Sequence, residues 1–197
     1  DRMPLPDPIT SAGNAEVKRL RSLHERKYRR QTGWFLAEGI RTCTEAVELG
    51  WRLHRLAFLD GRGGDRMVRP LLAALDRDGG RALPMTESLL ARISGKDNPQ
   101  MVLGAFEQRW QDPGRIAPDA GRCWIALDRV RDPGNLGTIM RTADATGARG
   151  IILIGDCTDP YSVEAVRASM GAVFNVELAQ MPDCLLYTSP SPRDQVV

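Results

Sequence analysis

A polar, turn-forming stretch at positions 128–147 reads DRVRDPGNLGTIMRTADATG and places an arginine six residues after an asparagine. Asn135 presents an amide, and Arg141 presents a guanidinium that donates hydrogen bonds in a fixed fork. Both groups bind the oxygens of sugars and phosphates. A guanidinium is a poor general base because its pKa exceeds about 12. Arg141 is therefore expected to orient a substrate and to stabilise negative charge that develops on oxygen.

The elements around this stretch place it at the edge of a sheet. The apolar run CWIAL at 123–127 predicts a buried parallel strand, and the helical spacing of apolar residues predicts a helix over about 136–146. Ligands of open α/β sheets bind outside the carboxyl ends of strands, where this turn lies. The spacing alone leaves an alternative open, which is an ordinary capped turn followed by a solvated arginine.

Single residues within the turn have specific expected roles. Pro133 restricts one backbone angle, so the turn can be tight and pre-set. Asn135 is placed to cap the helix or to present its amide to a ligand, and Gly137 permits a close approach of another backbone. Arg141 lies off the apolar helix face, and Asp144 is expected to steady it from three residues away. The motif is neither GxGxxG nor a Walker loop, which disfavours a dinucleotide or nucleoside triphosphate site.

Strands alternate with helices of about ten residues along most of the chain, which predicts an α/β layer fold. Residues 109–121, rich in Pro, Gly and Asp, predict a linker between two domains. The predicted first domain spans 9–108, with strands at 34–37, 53–59, 81–85 and 101–107. The predicted second domain spans 122–182, with further strands at 150–155 and 172–178 and a helix that begins at Ser162.

Positive charge is concentrated near the start of the chain. Residues 14–30 hold seven Lys or Arg and two Glu, so the segment carries 7 − 2 = +5 while the whole chain carries +2. Such a basic block on a nearly neutral protein predicts contact with a polyanion. The candidate residues for this polyanion contact are Lys18, Arg19, Arg26, Lys27, Arg29 and Arg30, and the family resemblance given below implies that the polyanion is RNA.

The bulk composition limits the remaining possibilities. No apolar run reaches the 18 or so residues of a membrane span, so no membrane partner is expected. Four cysteines without a CxxC pair disfavour a zinc site or a disulfide framework, and neither His24 nor His54 has a partner at ligand spacing. We therefore expect no metal, reduced thiols and a cytoplasmic location.

The amino-acid sequences of several segments resemble the motifs of one protein family. DPGNLGTIMRTADATG is similar to motif 1 of the SpoU-type (TrmH-like) RNA 2′-O-ribose methyltransferases of the SPOUT superfamily, and YSVEAVRASMGAVFNVEL at 161–178 resembles a later segment of the same enzymes. The segment from Ser11 to Gly50 resembles the start of their N-terminal substrate-binding domain. The resemblance implies an L30e-like α/β/α domain followed by a SPOUT (α/β knot) methyltransferase domain with a parallel sheet.

The resemblance also implies the chemistry. The reaction would transfer a methyl group from S-adenosylmethionine to a ribose 2′-hydroxyl of ribosomal or transfer RNA, and the full-length protein would be a homodimer. Asn135 and Arg141 would be the catalytic pair, with Arg141 in contact with the target ribose or its phosphate. Arg167 and Ser169 would support the site or the dimer face.

The end of the chain departs from the family pattern. CLLYTSPSPRD at 184–194 has no periodicity and equals the translation of a transposon-end sequencing adapter, so residues 184–197 are expected to be an artefactual or disordered tail. A Gly-x-Glu-like turn and a Ser-Leu-Asn-like run, which thread the knot and form the cofactor pocket in this family, are absent. The cofactor-binding residues therefore stay unknown, and this SPOUT domain is expected to be incomplete, inactive and a weak binder of S-adenosylmethionine at best.

Two other functions remain open from the residues. A noncatalytic RNA-binding protein would need only the L30e-like half, and a small-molecule α/β enzyme would show no salt-dependent affinity for RNA.

Overall fold

The computed structural model describes residues 5–116 and 121–182, and the secondary structure within them alternates as predicted. The helices are α1 (Ala15–Ser22), α2 (Arg26–Thr32), α3 (Ile40–Glu48), α4 (Arg69–Arg77), α5 (Glu87–Ser94), α6 (Pro133–Ala145) and α7 (Val163–Ser169). The strands are β1 (Trp34–Glu38), β2 (Leu53–Leu59), β3 (Arg81–Met85), β4 (Val102–Glu107), β5 (Trp124–Asp128), β6 (Gly150–Ile154) and β7 (Glu177–Met181). The predicted tail at 184–197 lies outside the described residues.

The first sheet has the order β1-β4-β2-β3 and is mixed, since β4 runs antiparallel to both its neighbours and β2 and β3 run parallel. Successive side chains of a strand point to opposite faces. Phe35 accordingly packs on one side with residues of α3 and α4, and Leu36 packs on the other side with residues of α1 and α5. The result is an α/β/α layer arrangement.

Capping residues and a glycine set the ends of several of these helices. The Asn14 side chain accepts a hydrogen bond from the backbone N–H of Glu16 at 2.8 Å and caps the N-terminus of α1. Gly33 ends α2 in the left-handed conformation, with a φ of 70°. Ser162 caps α7 by accepting a hydrogen bond from the backbone N–H of Ala165 at 3.1 Å.

The second sheet is parallel, with the order β5-β6-β7. The predicted parallel sheet is therefore confirmed. The prediction that the first strand is buried is wrong for this part of the chain, because Ala126 is exposed and Ile125 and Leu127 are only half-buried. Within the described residues β5 pairs with β6 alone and forms one edge of the sheet.

The last strand begins later than its apolar residues predict. The predicted strand over 172–178 is replaced by a 3-10 turn at Ala172–Phe174, followed by β7 at Glu177–Met181. Gly171, with a φ of 93°, turns the chain before this segment. Val173 and Phe174 are buried because they point into the core rather than along a sheet.

One continuous core joins the two sheets. The rings of Phe35 and Tyr161 lie 4.6 Å apart and those of Trp51 and Phe174 lie 5.2 Å apart, which brings aromatic residues of both halves together. The indole N–H of Trp51 donates to the carbonyl of Phe174 at 3.1 Å. The Tyr161 hydroxyl donates to the carbonyl of Arg109 at 2.6 Å, and burial raises the pKa of Tyr161 well above its ordinary value. The exact domain boundaries stay a prediction.

The segment between the halves is held against the second half. Gln111 forms a parallel bridge with Ala179 of β7, and its backbone N–H donates to the carbonyl of Leu178 at 2.8 Å. The Trp110 ring meets the Tyr161 ring edge-on at 5.2 Å. The start of the predicted linker is therefore not a free tether. Among the helices of the described residues, none has the length and apolar character needed to cross a bilayer.

Candidate active site

The turn after β5 is fixed by its own side chains. The Asp132 carboxylate accepts a hydrogen bond from the backbone N–H of Asn135 at 2.6 Å and caps α6, and Pro133 is the first helical residue. Proline is favoured there because its missing N–H would have no partner within the helix. The expectation that Asn135 caps the helix is therefore wrong. Aspartate occupies the cap, the helix starts earlier than predicted, and Asn135 lies in its first turn.

Asn135 and Arg141 are both exposed on α6. Six residues of an α-helix correspond to roughly 9 Å of rise and roughly 120° of rotation. The two side chains thus leave the same helix in different directions, and both are open to solvent. A substrate in contact with both groups must lie along the exposed surface of the helix rather than over a single point.

Asp144 does not steady Arg141 as expected. Its carboxylate accepts a hydrogen bond from the side-chain amide of Asn175 at 3.2 Å, and the same amide donates to Glu45 of α3 at 3.3 Å. The C-terminal turn of α6 is thereby linked to the first half of the chain. Neither Glu45 nor Asn175 had a signal in the sequence, because their contacts with Asp144 join residues far apart along the chain.

The face of α6 that carries Gly137 packs closely on α7. A Cβ atom placed on Gly137 would lie 2.6 Å from the carbonyl carbon of Ala168 and 2.8 Å from the nitrogen of Ser169. Real Cβ atoms do not approach backbone atoms so closely. The prediction that Gly137 permits a close backbone approach is confirmed.

The side chains of Arg167 and Ser169 both form hydrogen bonds with other residues of the protein. The Arg167 guanidinium pairs with the Glu38 carboxylate at the end of β1 and donates to the carbonyl of Ser94 at 2.7 Å. The hydroxyl of Ser169, which is fully buried, donates to the carbonyl of Val166 at 2.8 Å. Arg167 therefore joins α7 to the first half, and Ser169 completes the end of α7. Their predicted supporting role stays a prediction.

Most of the basic block is exposed on α1 and α2. Arg26 is half-buried, and the exposed members of the predicted RNA-binding set are Lys18, Arg19, Lys27 and Arg30.

Arg29 is an exception, and its prediction as an RNA-binding residue is wrong. Its side chain is only 3% exposed and pairs with Asp159 at 2.9 Å. It also donates to the carbonyls of Leu23 and His24 at 2.9 and 2.8 Å. A guanidinium with all these bonds inside the protein is not available to a phosphate.

The carboxyl ends of β5, β6 and β7 form the edge where the resemblance places S-adenosylmethionine. A cavity of about 600 Å³ is lined by residues of α3 and α7, and one of about 330 Å³ lies along β3. Neither cavity touches the residues that follow the three parallel strands. The expected absence of the cofactor pocket stays a prediction.

The chain matches known proteins over both halves. Residues 14–104 match the MRM3-like substrate binding domain, and residues 122–189 match the SpoU rRNA Methylase family. A 23S rRNA (uridine-2′-O)-methyltransferase of Streptomyces viridochromogenes is 32% identical over 92% of this chain. An uncharacterised tRNA/rRNA methyltransferase of Synechocystis is 36% identical over 83% of it. The chain spans about three fifths of the length of these curated relatives, 63% and 58% respectively.

A solved structure agrees in fold and in sequence. The crystal structure of an rRNA methyltransferase from Sinorhizobium meliloti superposes with a TM-score of 0.85 at 44% identity, covering 91% of this chain and 67% of that one. The same enzyme with AdoMet bound gives a TM-score of 0.83 at 45% identity, covering 89% of this chain and 65% of that one. The chain belongs to the SpoU rRNA methylase family, with an MRM3-like substrate-binding domain before the methylase region.

Proposed function

We propose that the protein is an RNA 2′-O-ribose methyltransferase that uses S-adenosylmethionine as the methyl donor. One observation carries this proposal: Asn135 and Arg141 lie exposed on a helix whose start is fixed directly after a parallel strand. This helix lies within the region that matches the SpoU family. Relatives named as 2′-O-methyltransferases of 23S rRNA, and a related structure with AdoMet bound, support the substrate class and the donor.

Arg141 and Asn135 have different roles at the ribose. S-adenosylmethionine, when bound, supplies an electrophilic methyl group. The Arg141 guanidinium binds the phosphate or the ribose through its forked donors and stabilises negative charge that develops on the 2′-oxygen. It stays protonated throughout, so the proton of the hydroxyl leaves to solvent or to a phosphate. The Asn135 amide hydrogen-bonds to the sugar and fixes its orientation.

The exposed basic side chains of α1 and α2 supply affinity for the RNA backbone. Each lysine or arginine that contacts a phosphate releases condensed counterions, so the affinity falls as the salt concentration rises. The rRNA substrates named for the relatives favour ribosomal RNA over transfer RNA as the substrate of this protein.

A homodimer of the full-length protein and a cytoplasmic location belong to the same proposal. The family resemblance of residues 122–182 supports the dimer. Three cysteines without disulfide bonds, Cys43, Cys123 and Cys157, support a reducing compartment. Light scattering after size-exclusion chromatography measures the oligomeric state, and a monomer at micromolar concentration would contradict the dimer.

The decisive experiment measures methyl transfer and RNA binding by the full-length natural protein and its Arg141→Ala variant. Transfer of a labelled methyl group to RNA is expected for the natural protein, and its loss in the variant with RNA affinity retained supports the proposal. RNA binding without methyl transfer by the natural protein would identify a noncatalytic RNA-binding protein instead. Absence of any salt-dependent RNA affinity would favour a small-molecule enzyme.

A further inference from the structure

The cavity of about 600 Å³ lies between the two halves of the chain. One wall comes from the end of β1 and the start of α3, and the facing wall comes from α7 and the residues after it. Its volume falls within the roughly 300–1,000 Å³ that is usual for small-ligand sites. The proposed reaction at Asn135 and Arg141 does not use this cavity.

The N-terminus of α3 opens into the cavity without a cap. Gly39, Ile40, Arg41 and Thr42 all line it, and no side chain bonds to the first turn of this nine-residue helix. The first N–H groups of a helix have no partner inside it and carry partial positive charge. Such an end binds phosphate when the N–H groups stay open to a ligand.

Two cationic side chains reinforce this end. Arg41 is exposed in the first turn of α3, and Lys96 is 48% exposed after α5, and both line the cavity. No described residue forms an ion pair with Arg41. The Lys96 ammonium lies 3.9 Å from the Glu38 carboxylate, too far for a hydrogen bond, and is therefore able to turn toward an anion.

Two buried polar atoms beside the cavity lack hydrogen-bond partners. They are the second carboxylate oxygen of Glu38, whose side chain is only 7% exposed, and the Nε of Arg167. Both residues line the cavity, and their other polar atoms pair with each other. Buried polar groups are normally satisfied, so an acceptor and a donor left without partners together point to a ligand that offers both. The edge of a nucleobase carries a donor beside an acceptor.

Apolar side chains complete the walls. Met170 is 73% exposed and has a left-handed backbone with a φ of 48°, and Met101 is 41% exposed. Both line the cavity and are among the large hydrophobic side chains that the protein leaves exposed. A methionine sulfur makes favourable contacts with an aromatic ring. An unstacked base is an aromatic ring that would cover these side chains.

Helix geometry relates Arg141 to the residues of α6 that contact the neighbourhood of the cavity. Around the α6 axis Arg141 lies roughly 40° from Gly137 and roughly 60° from Asp144. Gly137 packs on α7 at Ala168, and Asp144 shares the Asn175 amide with Glu45, which lines the cavity. The Cα of Arg141 therefore lies on the flank of α6 next to α7, while its side chain is exposed.

We propose that this cavity binds one unpaired nucleotide of the RNA, next to the nucleotide whose ribose meets Arg141. Its phosphate binds the N-terminus of α3 together with Arg41 and Lys96, and its base packs on Met101 and Met170 with its edge toward Glu38 and Arg167. This inference rests on the proposed RNA function and adds a specificity site to it. Bases that are splayed out of a helix are the usual targets of sequence-specific RNA recognition.

The test uses the full chain and a hairpin RNA whose loop carries a single 4-thiouridine. Irradiation of the complex cross-links the thiouridine to nearby side chains, and mass spectrometry of the peptides locates them. We expect cross-links in the peptides that contain Met101 or Met170. A hairpin with the thiouridine in its paired stem serves as the RNA control and is expected to give none there.

A charge-matched pair of variants tests the phosphate contact. Arg41→Ala with Lys96→Ala removes two cations of the cavity, and Arg66→Ala with Arg69→Ala removes two exposed cations outside it. We expect the first pair to weaken loop binding at least about tenfold and to lower the slope of log affinity against log salt by about 0.7, since both cations contact one phosphate and each phosphate neutralised on a single strand contributes about 0.7. The control pair is expected to change the affinity less than about threefold.

The outcomes separate the cavity from the proposed function. If RNA binds but cross-links elsewhere, and both variant pairs behave alike, the cavity is not a nucleotide site while the RNA function stands. If no RNA binds, the proposed function fails and the occupant assigned here fails with it. If the cavity variants abolish a dimer and leave RNA affinity unchanged, the cavity is a contact between copies of the chain, and the nucleotide site is excluded.

Discussion

Arg141 and Arg167 carry the same group in very different surroundings. Arg141 extends from α6 into solvent, whereas the Arg167 guanidinium pairs with Glu38 and donates to Ser94 across the two halves. An exposed arginine near an asparagine remains available to a substrate, while a bonded one holds elements together. The first is thus the candidate for chemistry, and the second is a candidate for positioning α7.

Arg141→Ala is expected to lower the rate of methyl transfer by the full-length protein by about 10²-fold or more, the usual effect of removing one donor that stabilises developing charge. Arg141→Lys keeps the charge but loses the fixed fork, so we expect it to recover no more than about a tenth of the natural rate. The measurement is label transfer to RNA, with affinity followed in parallel. Full activity of the lysine variant would show that only charge matters at this position.

The cysteines differ in reactivity for a residue-scale reason. Burial raises the pKa of the Cys43 thiol to about 12, against 9.0 for an unperturbed thiol, and Cys123 is exposed. The thiolate is the reactive form. At about pH 8 a thiol reagent is therefore expected to label Cys123 at once and Cys43 only after unfolding, as peptide mass spectrometry will show. Rapid labelling of Cys43 in the folded protein would contradict its buried position.

The raised pKa of the Cys43 thiol also makes the stability of the folded protein depend on pH. The folded state keeps the Cys43 proton to higher pH than the unfolded state does, so its contribution is complete below 9.0 and is lost as the pH rises toward about 12. The free energy of unfolding of the natural chain is therefore expected to fall, relative to Cys43→Ala, as the pH rises above 9.0. If the difference in the free energy of unfolding between the natural chain and Cys43→Ala stayed constant as the pH rose above 9.0, the raised pKa of Cys43 would be excluded.

At the scale of elements, the α6–α7 contact sets where the candidate site lies. Gly137 lets the backbone of α7 approach α6, and Ser169 ends α7 within the core. The pair of helices then orients Arg141 relative to the rest of the molecule. A side chain at position 137 would force the helices apart.

Gly137→Ala is expected to lower the free energy of unfolding by about 1–3 kcal/mol, because overpacking at a tight backbone contact forces shifts. Chemical denaturation measures it. Gly64→Ala is the matched control, since a Cβ at Gly64 meets nothing within 4 Å. Stability of the Gly137 variant equal to that of the control would mean that α6 and α7 are not in close contact.

At the scale of the whole molecule, buried contacts join the two halves into one structure. Arg29 of α2 pairs with Asp159 before α7, both almost fully buried, and the aromatic core around Phe35 and Tyr161 continues across the same boundary. A buried ion pair does little for stability by itself, but removing one partner leaves an unpaired charge inside. The position of the basic helices relative to α6 depends on these contacts.

Arg29→Ala is expected to lower the free energy of unfolding by about 3–5 kcal/mol, since Asp159 loses its partner inside the protein. Its exposed neighbour gives the control, and Arg30→Ala is expected to change stability by less than about 0.5 kcal/mol. The order is reversed for RNA affinity: among folded proteins, Arg30→Ala is expected to bind RNA more weakly than Arg29→Ala. Equal stability of the two variants would contradict the buried pair.

The chain of 197 residues is expected to show no heat of binding on calorimetric titration with S-adenosylmethionine. The cavities of about 600 and 330 Å³ lie away from the carboxyl ends of β5, β6 and β7. The full-length natural protein is the control and is expected to bind it. Micromolar affinity of the 197-residue chain would show that it contains the pocket.

The sequence by itself predicted the α/β alternation, the parallel second sheet, the start of α7 at Ser162 and the close approach at Gly137, because hydrophobic periodicity, capping residues and glycines are visible in the chain itself. It also predicted the family. The Asp132 cap of α6 is local as well, because Asp132 and Asn135 are three residues apart, and Asp132 followed by Pro133 was its signal in the sequence. Only the tertiary structure decided that Arg29 is buried while Arg30 is exposed. Those outcomes depend on which distant residue, such as Asp159, folding brings opposite each side chain, and on which strands cover β5. No local pattern contains that information.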